Sequence, residues 1–405
     1  MVPPPITPTL LTLSGLAMPL FLLFVPDHPR LDGFGEASHF RRPPSRKSVL
    51  SDQMPADLFS VGKSFPLDWD AVRAHLAPNG LRLESDPPPR QFSGGLANVN
   101  FLVHVDGKPC VLRRPPAGQL PAGAHDMARE HRILSPLADA LPFVPRSLHL
   151  CEDTSVIGVK FQILEYRAGL VVRATLPPVL RDRPKVGSRL AQVLLETLSA
   201  LHAVDPASIG LDDLGRPEGF LARAVAGWRK RSAAVHYDAN EALLRDLGVW
   251  LEAHLVPEGV PALLHNDFKL DNMILDPADL HAVGVVDWDQ GTRGDPLFDF
   301  ATLLSYWTEK DDHIALHDMA QMPSVEAGFP PRSEAVKMYA AMTGRDMSNF
   351  KFYRVLALYK LGVIFLQLGH RYRIGQTSDA RYQHLSRIGS GILEFTHDVV
   401  ADRAF

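Results

Sequence analysis

Residues 264–272 read LHNDFKLDN and follow the apolar run Val260-Pro261-Ala262-Leu263. A His, a Lys, two Asp and two Asn crowd into one short stretch beside a segment apolar enough to be buried. Polar groups placed there need partners, since an unpaired one costs roughly 1–3 kcal/mol. The stretch is therefore a hydrogen-bonded corner or a place where chemistry happens. The residues C-terminal to it sharpen the choice. Met273–Leu275 and Ala282–Val286 are apolar runs joined by Asp276-Pro277-Ala278-Asp279, the pattern of a small hairpin. Asn272 stands just before the first strand and Asp287 closes the second, so the hairpin brings the two side by side.

Outward from this corner the chain divides into unlike halves. A helix is predicted near Asp68, with Leu67, Val72 and Leu76 on one side. NFLVHVDGKPCVLRR at 100–114 is a hairpin turning at Asp106-Gly107. A helix from about Gly123 to Leu137 and two strand-like runs, RSLHLCED and GVKFQILEYR, complete this half. From about Leu180 the pattern is helical, with Leu190, Val193, Leu194, Leu198 and Leu201 at helical spacing. Further helices are predicted near 217–233, 238–255, 296–308, 333–343, 350–372 and 379–400, interrupted once by the hairpin. The expected fold class is α+β: a small β-rich lobe, then a large helical lobe with an embedded hairpin.

Composition narrows the function classes. The chain has 405 residues, 46% hydrophobic and 22% charged, with a net charge of −4, which gives no global case for binding nucleic acid. Cys110 and Cys151 form neither a disulfide framework nor a zinc pattern, so a reducing, cytoplasmic setting is expected. Residues 6–25 are uncharged and long enough to span a bilayer, but Pro8, Gly15 and Pro19 weaken a helix and no basic residue precedes them. They read as an extension or disordered tail, with a membrane anchor as the other reading; both leave the main domain in the cytoplasm. Residues 27–60 are rich in Pro, Ser and Arg and read as linker. VGKS at 61–64 lacks the glycine a P-loop needs five positions before Gly62, where Asp57 stands.

The corner and hairpin carry a chemistry together. Asn272 and Asp287 offer oxygen ligands suited to Mg²⁺ held with phosphate oxygens. Asp267 is placed to accept a proton from an attacking hydroxyl, and Lys269 to carry positive charge toward a transferred phosphoryl group. The spacing of Asp267, Lys269 and Asn272 matches a kinase catalytic loop. The wider set LLHNDFKLDNMIL…GVVDWDQGTRGDPLFDFATLLSYW resembles the aminoglycoside phosphotransferase family, closest to the branch fused to acyl-CoA dehydrogenases. The resemblance covers roughly residues 66–400. That branch commonly writes HGDxRxDN; here Asn266 replaces the Gly and Lys269 the Arg.

The resemblance implies a two-lobed, protein-kinase-like fold: residues 1–60 an N-terminal segment, 61–166 a nucleotide-binding lobe, 167–405 a catalytic and substrate-binding lobe. It implies ATP and Mg²⁺ as cofactors. It places Gly94, Gly95 and Asn98 in a phosphate-covering loop, with Ala97 where the family often has Ser. Arg113 takes the place of the strand lysine and Glu130 is its expected helix partner, although this pair alone reads as a surface ion pair. Glu165 and Tyr166 fall at the hinge, offering backbone groups to adenine. The expected function is phosphoryl transfer from ATP to a hydroxyl of a small molecule, such as a hydroxyacyl-CoA-like metabolite. The competing reading is a non-catalytic nucleotide-binding scaffold, prompted by Arg113 and the thin glycine loop.

Other residues have plainer explanations. His265 is expected to buttress the loop and Asp271 to be solvated or a cap. Asp295-Pro296 is a helix N-cap followed by a first-turn proline, and Asp299 sits in that first turn. Asp289 could support a metal from behind. Tyr353, Leu356, Tyr359, Leu361 and Phe365 read as core, and WRKR at 228–231 as a solvated helix face.

Overall fold

The computed structural model describes residues 64–93, 98–116, 125–235, 240–376 and 380–405. The apolar segment at 6–25, the linker and VGKS up to Lys63 lie outside the described residues, as do Gly94, Gly95 and Ala97.

The first lobe begins with α1 (Trp69–Leu76), capped by the Asp68 side chain on the Ala71 amide. A sheet follows, built of β1 (Arg90–Gln91), β2 (Val99–Val105), β3 (Lys108–Arg114), β4 (Ser147–Cys151) and β5 (Phe161–Glu165), in the order β1-β2-β3-β5-β4. Every neighbouring pair is antiparallel. The β2–β3 turn is tight because Asp106 and Gly107 both take positive φ, 51° and 74°, as a two-residue hairpin of matching twist demands. Between β3 and β4 runs α2 (Met127–Ala140), capped by Asp126 on the Arg129 amide.

Strand alternation splits the apolar side chains between two cores. Phe101, Val103, Leu112 and Ile163 face α1, packing with Val72 and Leu76. Leu102, Val111 and Leu164 face the other way, joining Ile133, Leu134 and Leu137 of α2 and, through them, the main core of the helical lobe.

That second lobe holds α3 (Val186–His202), α4 (Phe220–Ala233), α5 (Glu241–Ala253), then β6 (Ala262–Leu264), β7 (Met273–Leu275), β8 (Ala282–Val285) and β9 (Thr292–Gly294). It continues with α6 (Pro296–Ser305), α7 (Ile314–Met319), α8 (Ser324–Ala327), α9 (Arg332–Thr343), α10 (Phe350–Arg373) and α11 (Leu385–Val400). β7 pairs with β8, the expected hairpin, and β6 pairs with β9. The sequence gives no warning of the β6–β9 pair, since three-residue strands carry almost no periodic signal. It clamps both ends of the segment that holds the polar corner.

The segment that follows the hinge is stitched to the hairpin by backbone: Leu170 and Leu275 exchange N–H···O bonds of 2.7 and 2.8 Å. Helix α10 is long and apolar enough to cross a membrane, but 83% of that window is buried inside the fold, so it is a core helix. Tyr353, Leu356, Tyr359, Leu361 and Phe365 are all buried in it, as expected. It packs closely on α11 because neither helix carries a side chain at the crossing: a Cβ on Gly389 would lie 2.9 Å from the Gly362 carbonyl.

The two boundaries that differ most from expectation are both helix starts. The helix expected from Gly123 begins at Met127, where Asp126 supplies the cap, and the last helix begins at Leu385 rather than 379.

Candidate active site

The corner after β6 folds back on itself. Lys269 Nζ donates to Asp267 Oδ2 at 2.7 Å, and the Tyr306 hydroxyl donates to Oδ1 at 2.6 Å. Asn272 Nδ2 donates to the Asp267 carbonyl at 2.8 Å and to Oδ2 at 3.2 Å. Burial pushes the Asp267 carboxyl up, but Lys269 and the Tyr306 hydroxyl outweigh it and hold it below the usual range. Burial lowers Lys269 in turn, and Asp267 and Asp271 more than reverse that. The Asp267 side chain remains 19% exposed against 10% for Lys269, so a hydroxyl can reach the carboxylate.

His265 is completely buried. Its Nδ1 accepts the Asp267 amide at 3.3 Å, which leaves Nε2–H to donate to the Val286 carbonyl at 2.9 Å. Both ring nitrogens are used inside the fold, which makes His265 the expected buttress. Asp271 departs from expectation. It is 2% exposed, because the tight turn Leu270–Asn272 rotates it inward, and it pairs with Arg173 Nε at 3.1 Å. Burial raises it to about 6 against the pull of Arg173 and Lys269.

The hairpin joins Asn272 to the second carboxylate: Val286 N donates to the Asn272 carbonyl at 3.0 Å, one residue before Asp287. Since Asn272 commits its NH₂ to Asp267, its Oδ1 is turned away, buried and without a hydrogen-bond partner. An orphaned amide oxygen beside a carboxylate is a donor set that fits Mg²⁺. Asp287 has φ 73°, and its Oδ1 accepts from Arg113 Nη2. Asp289 is 5% exposed, with His125 Nδ1 3.5 Å away; burial and then the neighbouring Asp287 push it up to about 8.

Arg113 and Glu130 are not a surface pair. Their side chains are 5% and 1% exposed, and Arg113 Nε donates to Glu130 Oε2 at 2.7 Å. β3 carries Arg113 inward and α2 carries Glu130 to meet it, completing a chain from the first lobe into the hairpin. Glu130 Oε1 accepts the Trp288 amide at 3.1 Å, and Gln162 Nε2 donates to Oε2 at 2.5 Å. Burial raises Glu130 despite Arg113, while Glu130 and Asp287 overcome burial and raise Arg113.

Arg113, Glu130 and Asp287 line a cleft between the lobes. Apolar walls come from Phe92, Val111, Leu134, Leu164, Ile274 and Val286. Glu165 and Arg167 line it at the hinge. The Glu165 amide donates to the Arg146 carbonyl at 2.8 Å, so that N–H is not open to a base. The Tyr166 side chain packs against the core, and Arg167 follows it in the cleft wall. Asn98 is buried, its Oδ1 3.0 Å from His125 Nδ1 at the entry to α2.

Supports for the loop also arrive from below, at residues whose sequence context does not mark them for that role. Asp299 is fully buried and accepts the amides of His265 at 2.7 Å and Asn266 at 2.8 Å. Behind it stand His202 Nε2 at 3.2 Å and, on His202 Nδ1, the Tyr339 hydroxyl at 2.6 Å. Burial lowers His202 although Asp299 opposes it, which suits a neutral ring between the two. From α10, Lys360 Nζ donates to the Asn266 carbonyl at 2.7 Å.

Two lobes hinged over a catalytic hairpin are the plan of the kinase-like phosphotransferases. Residues 89–335 match the family model described as the phosphotransferase enzyme family, and the chain belongs to that family. It is 30% identical over 350 residues to acyl-CoA dehydrogenase family member 10 of Mus musculus, covering 85% of this chain. The match spans 32% of that relative's length. A solved Ralstonia eutropha structure, described as a candidate aminoglycoside phosphotransferase, is 25% identical, with TM-score 0.69 over 83% of this chain and 99% of its own. A thermostable mutant of an aminoglycoside phosphotransferase, solved with ADP and hygromycin B, shares the fold, at 17% identity and TM-score 0.51 over 80% of this chain and 98% of its own.

Proposed function

We propose that this protein transfers the γ-phosphoryl group of ATP to a hydroxyl of a small molecule. The observation that carries the reading is the contact of Asp267 with Asn272, and of Asn272 with the strand that leads into Asp287, beside an apolar-walled cleft. The base and ribose fit the apolar walls, with the phosphates directed toward Arg113 and Lys269. Asn272 Oδ1 and Asp287 would hold Mg²⁺, which supplies charge neutralisation on the phosphates when bound.

Asp267 accepts a hydrogen bond from the acceptor hydroxyl and orients its oxygen in line with the γ-phosphorus. The new O–P bond forms as the bond to the β-phosphate oxygen breaks. ADP leaves with the electron pair and the hydroxyl proton passes to Asp267. Lys269 offsets charge on the transferred group, and Arg113 offsets charge on the phosphates. An acyl-type hydroxylated metabolite is the favoured acceptor, because the similar proteins are acyl-CoA dehydrogenase family members. The reaction runs in the cytoplasm.

The test is to incubate the protein with Mg·ATP and a metabolite extract and search by mass spectrometry for new phosphate monoesters. They are expected with the wild type and absent with Asp267→Asn, which keeps the side-chain shape and should retain the thermal shift on Mg·ADP. Equal product from the two proteins, or none from the wild type, overturns the reading.

A further inference from the structure

Asp267 has two oxygens and about four directions from which to accept. Oδ2 is filled by Lys269 Nζ at 2.7 Å and Asn272 Nδ2 at 3.2 Å. Oδ1 receives the Tyr306 hydroxyl at 2.6 Å and keeps one direction open. An acceptor hydroxyl is therefore steered to Oδ1, beside the phenol.

Tyr306 is built for more than filling space. It is 6% exposed and follows the last turn of α6, whose Asp299 holds the amides of His265 and Asn266. One helix thus grips the loop twice, by its backbone at 265–266 and by the carboxylate at 267. The Tyr306 ring also meets the Lys269 ammonium, 4.9 Å from ring centre to Nζ. A single buried side chain contacts both members of the Asp267–Lys269 pair.

Resting on the phosphotransferase reading, we infer that Tyr306 is a positioning residue. Its hydroxyl fixes the rotation of the Asp267 carboxylate so that Oδ1 is the atom that takes the acceptor proton. Without that hydroxyl the carboxylate is gripped on one edge only. It can then turn both oxygens to the Lys269 ammonium and withdraw the base from the acceptor. Misplacement on the order of 1 Å costs about 100-fold in rate.

The test uses full-length protein, Mg·ATP and water as the acceptor, read as phosphate release. Tyr306→Phe removes one oxygen and leaves the buried ring in place. It should lower kcat by about 10- to 100-fold, with KM for ATP within about twofold, because Tyr306 is not part of the nucleotide cleft. In an Asp267→Asn background, whose slow residual phosphate release to water is read at high protein concentration, the same change should cost nothing further. A residue that merely supported the fold would lower both backgrounds alike. Wild-type kcat in Tyr306→Phe, or equal losses in both backgrounds, overturns the inference while leaving the phosphotransferase reading intact. A wild type that neither releases phosphate nor phosphorylates the extract overturns that reading and the role of Tyr306 with it.

Discussion

Asp299 accepts the amide of Asn266 at 2.8 Å, and Asn266 has φ 65°, a left-handed backbone that favours glycine. The carboxylate below the loop holds open a conformation that costs an ordinary side chain roughly 1–2 kcal/mol. Asn tolerates this region better than most residues, and its Nδ2 also donates to the Gln290 carbonyl at 2.9 Å.

A comparison of Asn266→Gly with Asn266→Ala isolates that backbone term, since both lose the bond to Gln290. The Ala variant should be less stable than the Gly variant by about 1 kcal/mol, read from urea midpoints. Equal midpoints would show that Asp299 does not impose the left-handed turn.

Arg113 separates two buried carboxylates, Glu130 and Asp287. Arg113→Met strands both, and breaking a buried pair in this way costs about 3–5 kcal/mol. Adding Glu130→Met should recover part of the loss, because one of the two stranded charges is then gone and an apolar pair takes its place. Denaturant unfolding of the two variants checks this, and a double variant no more stable than the single one contradicts it.

Gly169 lies where the hinge meets the β7–β8 hairpin. A Cβ there would sit 2.6 Å from the Leu275 carbonyl and 2.6 Å from Ile274 Cγ2. Gly169→Ala should force Leu170 and Leu275 apart and cost about 1–3 kcal/mol. Hydrogen exchange should speed up at the Leu170 and Leu275 amides, whose bonds are 2.7 and 2.8 Å now. Unchanged protection at both would argue against that stitch.

Lys360 supplies a pH signature. Burial lowers it from 10.5 to about 8, opposed by Asp267 and Asp299 and assisted by Lys269 and Arg231. Between those values the unfolded chain binds the proton and the folded one does not, so stability rises with pH across that window. Below about 8 both states are protonated and the full penalty for burying the charge remains. The unfolding free energy of the wild type should therefore climb relative to Lys360→Met by up to about 3 kcal/mol across the window. Parallel curves for the two proteins would place the ammonium in a more solvated setting.

Much of this molecule is written in local pattern. The Asp106-Gly107 hairpin, the β7–β8 hairpin and the Asp295-Pro296 cap can be read directly, because turns and caps depend on residues within a few positions of each other. The reach of Asp267 to Lys269 and Asn272 is equally legible, since a five-residue corner leaves those side chains little choice of neighbour. Partners that arrive from distant parts of the chain are not. Arg113 and Glu130 taken alone read as a surface pair, and Asp271 as solvated, because burial depends on the whole packing. Tyr306, Asp299 and Lys360 look like ordinary helix residues until α6 and α10 dock beneath the loop. Hydrogen-bond geometry at Asp267 is set by that docking, which no spacing along the chain records: sequence separation constrains a side chain's neighbours only over the few residues that a turn or helix spans.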